Sequence, residues 1–189
     1  MPPTAVLPQE SLDLPALSNV LPVACSKPYL SEPVQAEANP IPPLRSALTS
    51  EQTPLAIRFR ALFSLKYHAS EHPSTPYTVP AIHAIAAAFS SSSALLKHEL
   101  AYCLGQTKNL DSVPFLRSVL EDRGEDSMCR HEAAEALGAL GDWDSLELLR
   151  SLRDDAQEVE VIKETCDIAV ERIEWEHSAE RKAERLQDR

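Results

Sequence analysis

Apolar residues recur at steps of three and four positions from Leu55 onward, which is the spacing of an amphipathic helix. The first such segment is LAIRFRALFSLKYH, and later ones are ALLKHELAYCLG, SVPFLRSVLED, MCRHEAAEALG and SLELLRSLRDD. A last helix is predicted from near Val159 onward. No segment shows the strict alternation of a half-buried strand, so the pattern predicts an all-α protein.

Turn residues set the predicted helix boundaries. The serines at 90–93 offer hydroxyls that can cap the helix that follows them, and Asp111 and Asp144 can cap two later helices. Gly105 and Gly138 fall where two helices are predicted to end.

Prolines divide the chain into an N-terminal leader and a helical part. Ten of the 15 prolines lie in residues 1–50, and each removes a backbone donor and clashes with the preceding helical turn. We therefore predict an extended, partly disordered leader over residues 1–45. A repeat domain is predicted over 46–178, followed by a charged tail over 179–189.

When the sequence is aligned with itself so that His98 matches His131, one helix pair aligns with the next. We call the distance in sequence from residue 98 to residue 131 the repeat offset. Glu99 then falls on Glu132, and the matches continue through the helix that follows each pair. Weaker copies precede and follow these two, without the His-Glu pair. Self-similarity at a fixed period of this size indicates stacked repeats, and the ankyrin and TPR signatures are absent. We predict about four helical hairpins in a HEAT-like α-solenoid.

The repeated His-Glu pair is the candidate site. Equivalent helices of a solenoid lie side by side, roughly 8–10 Å apart, so His98, Glu99, His131 and Glu132 are expected to converge on one groove. Two imidazoles and one carboxylate form the common Fe(II) set, and paired carboxylates can bridge two metals. The alternative is a pair that was merely duplicated with the repeat and lies solvated on a concave face.

Tyr102 and Glu135 stand one helical turn after the two histidines, at the position where the zinc-protease motif HExxH has its second histidine. The HExxH motif is therefore absent, which excludes a zinc-protease helix on its own signature. Both residues share the face of the His-Glu pairs and are candidates to support the metal ligands.

Composition narrows the class of protein further. A formal net charge of -11 and a pI near 5.0 argue against binding to nucleic acid phosphates and are compatible with a cationic partner. The four cysteines show no CxxC spacing, so a zinc ribbon or disulfide framework is not expected and reduced thiols are. Neither a secretory signal nor an apolar run of membrane-spanning length is evident, and we predict a cytoplasmic protein.

The blocks RFRALFSL, SSALLKHELAYCLGQ, MCRHEAAEALGALGD and ETCDIAVERIEW resemble the deoxyhypusine hydroxylase family, in order, over about residues 50–178. That family is a HEAT-repeat dyad with four His-Glu motifs, two in each half, that bind a di-iron centre. The resemblance implies an Fe(II)- and O2-dependent monooxygenase of hypusine biosynthesis. Its substrate and partner would be the deoxyhypusine side chain of translation initiation factor 5A, which becomes hypusine.

The resemblance also implies roles for individual residues. The metal ligands would be His98, Glu99, His131 and Glu132. Glu99 would in addition meet the cationic amine of the substrate as a catalytic and substrate-binding residue. Met128 would line the substrate channel, although a methionine at this position can equally serve packing.

The matching blocks correspond to the N-terminal half of the family, with two of its four His-Glu motifs. Three outcomes follow for such a chain. It is a shortened product, or it forms a homodimer that rebuilds the twofold site, or it is a catalytically inactive HEAT-repeat module that binds other proteins.

Overall fold

The computed structural model describes residues 39–70 and 74–179, and every regular element among them is helical. The all-α prediction is therefore confirmed. The α-helices in chain order are α1 (Ile41–Thr49), α2 (Leu55–Ala69), α3 (Thr78–Ala86), α4 (Ala94–Gln106), α5 (Val113–Glu121), α6 (Ser127–Leu140), α7 (Leu146–Arg153) and α8 (Glu160–His177).

Helix α1 begins inside the stretch for which the sequence predicted no helix. It starts at Ile41, and Pro42 and Pro43 occupy its first turn. Prolines fit there because the first N–H groups of a helix have no partner within the helix. The Asn39 side chain accepts a hydrogen bond from the Ile41 N–H, at 3.0 Å. The remainder of the predicted leader and most of the predicted tail lie outside the described residues.

The predicted caps are right at one helix and wrong at two. The Ser93 hydroxyl accepts a hydrogen bond from the Leu96 N–H at 3.2 Å and so caps α4, as predicted. Asp111 and Asp144 do not cap α5 and α7, because each of them lies within a 3-10 turn that runs directly into the helix. Before α5, the capping side chain is Asn109, which accepts from the Asp111 N–H ahead of that turn.

Two glycines have a role other than the predicted one. Helix α4 ends after Gly105, and α6 runs past Gly138 to Gly141, whose φ of +70° gives the left-handed helix cap. A Cβ on Gly105 would lie 2.8 Å from the Ala136 Cβ, and a Cβ on Gly138 would meet α8 in the same way. These two glycines therefore permit neighbouring helices to approach closely.

The even-numbered helices form a row in which α2 contacts α4, α4 contacts α6, and α6 contacts α8. The odd-numbered helices pack on this row, with α1 and α3 against α2, α5 against α6, and α7 against α8. The eight helices of the described residues agree in number with the predicted set of about four hairpins. The packed pairs are offset by one helix from the repeat read in the sequence, since α5 packs against α6 and α7 packs against α8.

Leucine and isoleucine side chains fill the space between the two sets of helices. Complete burial of each contributes roughly 1.5–3 kcal/mol. The fully buried members include Leu62, Leu65, Ile82, Ile85, Leu96, Leu100, Leu104, Leu116, Leu120, Leu137 and Leu149. Among the helices described here, none combines the length and apolar character needed to cross a membrane.

Three of the cysteines lie in this core as free, buried thiols, as the sequence predicted. Burial raises the pKa of Cys103 and Cys166 to about 12 and that of Cys129 to about 11. Thiolates are the form that binds metals, so these cysteines are poorly suited as ligands. Cys25 lies outside the described residues.

Candidate metal centre

The two His-Glu pairs occupy the same place on α4 and α6. Helix α6 starts after Asp126, whose carboxylate accepts a hydrogen bond from the Met128 N–H at 2.9 Å. The repeat offset carries Ser93, the cap of α4, onto Asp126, so each pair stands at the same distance from its cap. Equal distance from the cap gives equal rotation about the helix axis, and both pairs face along the row of even-numbered helices.

The His98 imidazole lies between two carboxylates. Its Nε2 is 3.2 Å from the Glu132 Oε2 on α6, and its Nδ1 is 3.6 Å from the Glu99 Oε1 on its own helix. Three of the four predicted ligands are thus brought together around one ring.

The fourth predicted ligand, His131, contacts a different set of residues. Its Nδ1 is 2.6 Å from the Thr165 hydroxyl on α8, and its Nε2 is 3.8 Å from the Glu135 Oε2. His131, Glu132 and Glu135 each offer one ligand atom, and these three atoms lie within 4.8 Å of one another. Glu132 belongs to both groups, so it joins the His98 cluster to the His131 cluster.

The donor chemistry of this second group fits an Fe(II) ion. One imidazole nitrogen and two carboxylate oxygens are ligands that Fe(II) accepts in proteins. The sequence predicted two histidines and carboxylates at positions 99 and 132, whereas the gathered atoms come from His131, Glu132 and Glu135. Glu135 had been considered only as a supporting residue.

Glu132 is electrostatically suited to a cation. Its side chain is 9% exposed, and burial raises its pKa, with further raising by Glu135 and Glu99 and an opposing effect of His98. A buried carboxylate beside other carboxylates is costly to ionise. A positive ion placed among these groups would remove that cost.

Basic residues adjacent to the histidines are already paired with other acids. Lys97 on α4 contacts the Glu125 Oε2 at 2.7 Å. Arg130 on α6 contacts Glu158 with two hydrogen bonds, at 2.8 and 2.7 Å. The sequence analysis missed both pairs, although the repeat offset superimposes one on the other. Because Lys97 and Arg130 are paired with these acids, they do not neutralise the glutamates of the two His-Glu pairs.

Glu99 and Met128, the predicted substrate-binding residues, line one groove of about 400 Å³ together with His98. The rest of its lining is Ala94, Leu95 and Asp126. Leu95 and Met128 are exposed apolar side chains, 60% and 49% accessible. The groove therefore offers carboxylates and apolar surface side by side, next to the candidate metal ligands.

Thr165 is the other residue that the sequence analysis missed. It is the equivalent of Glu132 in the weaker copy on α8, which lacks the His-Glu pair. The signal that could have identified it is the repeat itself. His98 reaches the glutamate position of the next helix in the row, and His131 reaches the same position of α8, where that residue is threonine.

The chain is similar to a repeat family and to several named proteins. The HEAT repeats family matches residues 79–166. The deoxyhypusine hydroxylase of Coccidioides immitis is 75% identical over 143 residues, which is 76% of this chain and 43% of that protein. The enzyme of the same name from Aspergillus clavatus is 68% identical over 143 residues, with the same shares of the two chains.

A solved structure shows the same likeness. Human deoxyhypusine hydroxylase in complex with glycerol is 44% identical, with a TM-score of 0.64, over 72% of this chain and 44% of that one. The chain thus spans less than half the length of the curated relatives it matches. Over the residues that it shares with them, this chain closely resembles the proteins named deoxyhypusine hydroxylase.

Proposed function

We propose that this chain forms one metal site of a deoxyhypusine hydroxylase, an Fe(II)- and O2-dependent monooxygenase. Its substrate is the deoxyhypusine side chain of translation initiation factor 5A, which it converts to hypusine. The supporting observation is the gathering of His131, Glu132 and Glu135 ligand atoms within 4.8 Å, in a chain whose relatives carry that enzyme name.

Iron, when bound, supplies the O2 chemistry that no amino acid side chain provides. The chain's own part is to hold the ion and the substrate. The proposed ligands are the carboxylates of Glu132 and Glu135 and the imidazole of His131, whose Nε2 lies 3.8 Å from the Glu135 Oε2. The Nε2 of His98, 3.2 Å from Glu132, orients that carboxylate.

The groove beside His98 suits the substrate chemically. Deoxyhypusine carries two amines on a chain of methylenes, so it needs both negative charge and apolar surface. Glu99, whose side chain is 29% exposed, is placed to pair with an amine. Leu95 and Met128 cover the methylenes in the same groove. Within this proposal Glu99 binds substrate and is linked to the metal ligands through His98.

The chain has two His-Glu pairs, whereas the family's di-iron centre draws on four. Two copies of the chain related by a twofold axis would bring four pairs together. The proposal therefore predicts that iron binding and native mass change together. An iron-free monomer and an iron-loaded dimer are the two states to be compared.

The test is to measure iron per chain after anaerobic loading with Fe(II), native mass by light scattering, and turnover of deoxyhypusine-bearing factor 5A. The variants His131→Ala and Glu132→Ala are expected to lose iron and turnover together. His83→Ala, which removes an exposed histidine on α3, is the matched control and should keep both. A wild-type chain that holds no iron and gives no hypusine, in any oligomeric state, refutes the proposal.

A second candidate function is a HEAT-repeat module that binds other proteins without catalysis. It is favoured by three exposed side chains at equivalent positions of successive helices of the row, Tyr102, Glu135 and Ile168. Unchanged binding of factor 5A by the His131→Ala variant, together with an iron-free wild type, would favour this function over the enzyme.

A further inference from the structure

We infer that Thr165 is a positioning residue for His131, which it holds in the tautomer that leaves Nε2 free to bind a metal. This inference rests on the proposed function for its purpose. Its structural content, the location of one proton on His131, does not depend on iron.

Thr165 has one hydroxyl proton, and its neighbours determine where that proton lies. The hydroxyl oxygen is 2.6 Å from the Val161 carbonyl oxygen and 2.6 Å from the His131 Nδ1. Two oxygens at that separation require a proton between them. The carbonyl has none, so the Thr165 hydroxyl donates to Val161.

In the hydrogen bond between Thr165 and His131, the histidine must then be the donor. With its proton committed to Val161, the Thr165 oxygen acts as an acceptor, and the His131 Nδ1–H donates to it. A neutral imidazole carries a single proton, so Nε2 is left with its lone pair free. Nε2 is the nitrogen on the side of Glu135, in the gathered group of His131, Glu132 and Glu135.

The surroundings of Thr165 preserve this arrangement. The residue is 7% exposed, so water has little access to replace either hydrogen bond. Its bond to Val161 is local to α8, one turn back along the same helix. The hydroxyl is therefore fixed by its own helix before it meets His131 on α6.

Thr165 occupies in the α8 copy of the repeat the position that Glu132 occupies on α6. Glu132 and Thr165 are equivalent residues of successive copies, and each receives the histidine of the preceding helix in the row. Glu132 is itself a candidate ligand, whereas a hydroxyl at 165 accepts the histidine's proton without adding charge. The copy on α8 thus supports the site instead of duplicating it.

The first measurement uses the metal-free, full-length chain. Long-range ¹⁵N–¹H NMR spectra of the histidine rings, recorded above the pH at which they titrate, report which nitrogen of His131 carries the proton. We expect the proton on Nδ1 in the wild type and in Thr165→Ser. In Thr165→Val, which keeps the branched shape and removes the hydroxyl, we expect a mixture of both tautomers. A wild-type His131 protonated on Nε2 overturns the inference.

The second measurement is Fe(II) affinity under anaerobic conditions. Loss of a hydrogen-bonding partner of a metal-binding histidine typically weakens metal binding about 10–100-fold. We expect a loss of that size in Thr165→Val and restoration by Thr165→Ser. Thr107→Val, which removes another buried hydroxyl that donates to a helix carbonyl, controls for general loss of packing. Equal affinities of the wild type and Thr165→Val overturn the inference.

The two measurements also separate this inference from the proposed function. If the wild-type chain binds no Fe(II), the proposed function fails, and the tautomer of His131 still decides whether Thr165 positions it. If iron binds and the proton lies on Nε2, the proposed function stands and the inference on Thr165 is wrong.

Discussion

Single side chains at the candidate centre have unequal roles, and Glu132 has the most demanding one. It lies near the His98 Nε2 and also contributes to the group formed with His131 and Glu135. Its burial and its acidic neighbours raise its pKa. The ionised carboxylate of Glu132 is therefore expected to reduce the stability of the fold when no cation is bound beside it.

For Glu132→Gln we expect a more stable metal-free protein at neutral pH and more than about tenfold weaker Fe(II) binding. A carboxyl whose pKa is raised by folding binds more protons in the folded state, so its ionised form costs stability above the folded pKa. That cost fades as the pH falls toward the unfolded pKa, so the gain of the variant should fade with it. Urea unfolding from pH 8 to pH 4, with and without metal, measures both effects.

Glu164→Gln, which removes the same charge from an exposed position on α8, is the control. It should change neither the unfolding free energy nor Fe(II) affinity appreciably. A metal-free Glu132→Gln that is less stable than the wild type at every pH would contradict the argument that ionised Glu132 costs stability.

Helices of the row approach each other through small residues. Gly105 meets Ala136, and Gly138 meets Ala169, so the same contact recurs in successive repeats. Because α4, α6 and α8 carry the candidate ligands and their supports, the spacing of these helices sets the distances within the site. A few tenths of an ångström between α4 and α6 would alter the contact of His98 with Glu132.

Gly105→Ala is therefore expected to destabilise the fold by about 1–3 kcal/mol, which is usual for overpacking. The added Cβ would lie 2.8 Å from the Ala136 Cβ and 3.0 Å from its Cα, so the helices must separate. The double variant Gly105→Ala/Ala136→Gly should recover part of the loss, as measured by a double-mutant cycle in urea. Full additivity of the two changes would mean that these residues do not limit the approach of α4 and α6.

At the scale of the whole molecule, one ion pair per repeat links the helices of the row. Lys97 on α4 reaches Glu125 in the segment before α6, and Arg130 on α6 reaches Glu158 in the segment before α8. The Arg130 Nε also donates to the Leu120 carbonyl at the end of α5. Arg130 therefore ties the hairpin of α5 and α6 to that of α7 and α8, and both members of its pair with Glu158 are almost fully buried.

Loss of the Arg130–Glu158 pair should affect global stability. Removing one partner of a buried pair costs about 3–5 kcal/mol because the other charge is left uncompensated, and we expect Glu158→Gln to approach that range at pH 7. Hydrogen bonds from Arg130 lower the pKa of Glu158. The stabilisation is thus complete above the pKa of an unfolded glutamate, about 4.3, and is lost as the pH falls through the lower folded value.

Acid titration of stability checks this prediction. The wild type should lose stability below about pH 4 more steeply than Glu158→Gln, as followed by circular dichroism in urea. Glu147→Gln, an exposed change on α7, should follow the wild type. Parallel pH profiles for the wild type and Glu158→Gln would show that the pair is not a source of acid lability.

The sequence by itself determined the repeat, the helical class and the two His-Glu pairs as candidates. Helical spacing and a fixed repeat period are local or near-local signals, so they can be read without knowing how the helices pack. The same is true of the Ser93 cap, which depends on a side chain within one helical turn of its partner. The likeness of the His-Glu blocks to deoxyhypusine hydroxylases was equally visible in the chain.

Only the tertiary structure decided which atoms meet. The periodicity places His131 on the correct face but does not specify which of its nitrogens faces Glu135 and which faces Thr165. The periodicity also does not distinguish a glycine that ends a helix from a glycine that permits close contact between two helices, because both kinds lie near a helix end. Those outcomes depend on side-chain rotation and on sub-ångström distances between helices that are far apart in the chain, which local patterns do not encode.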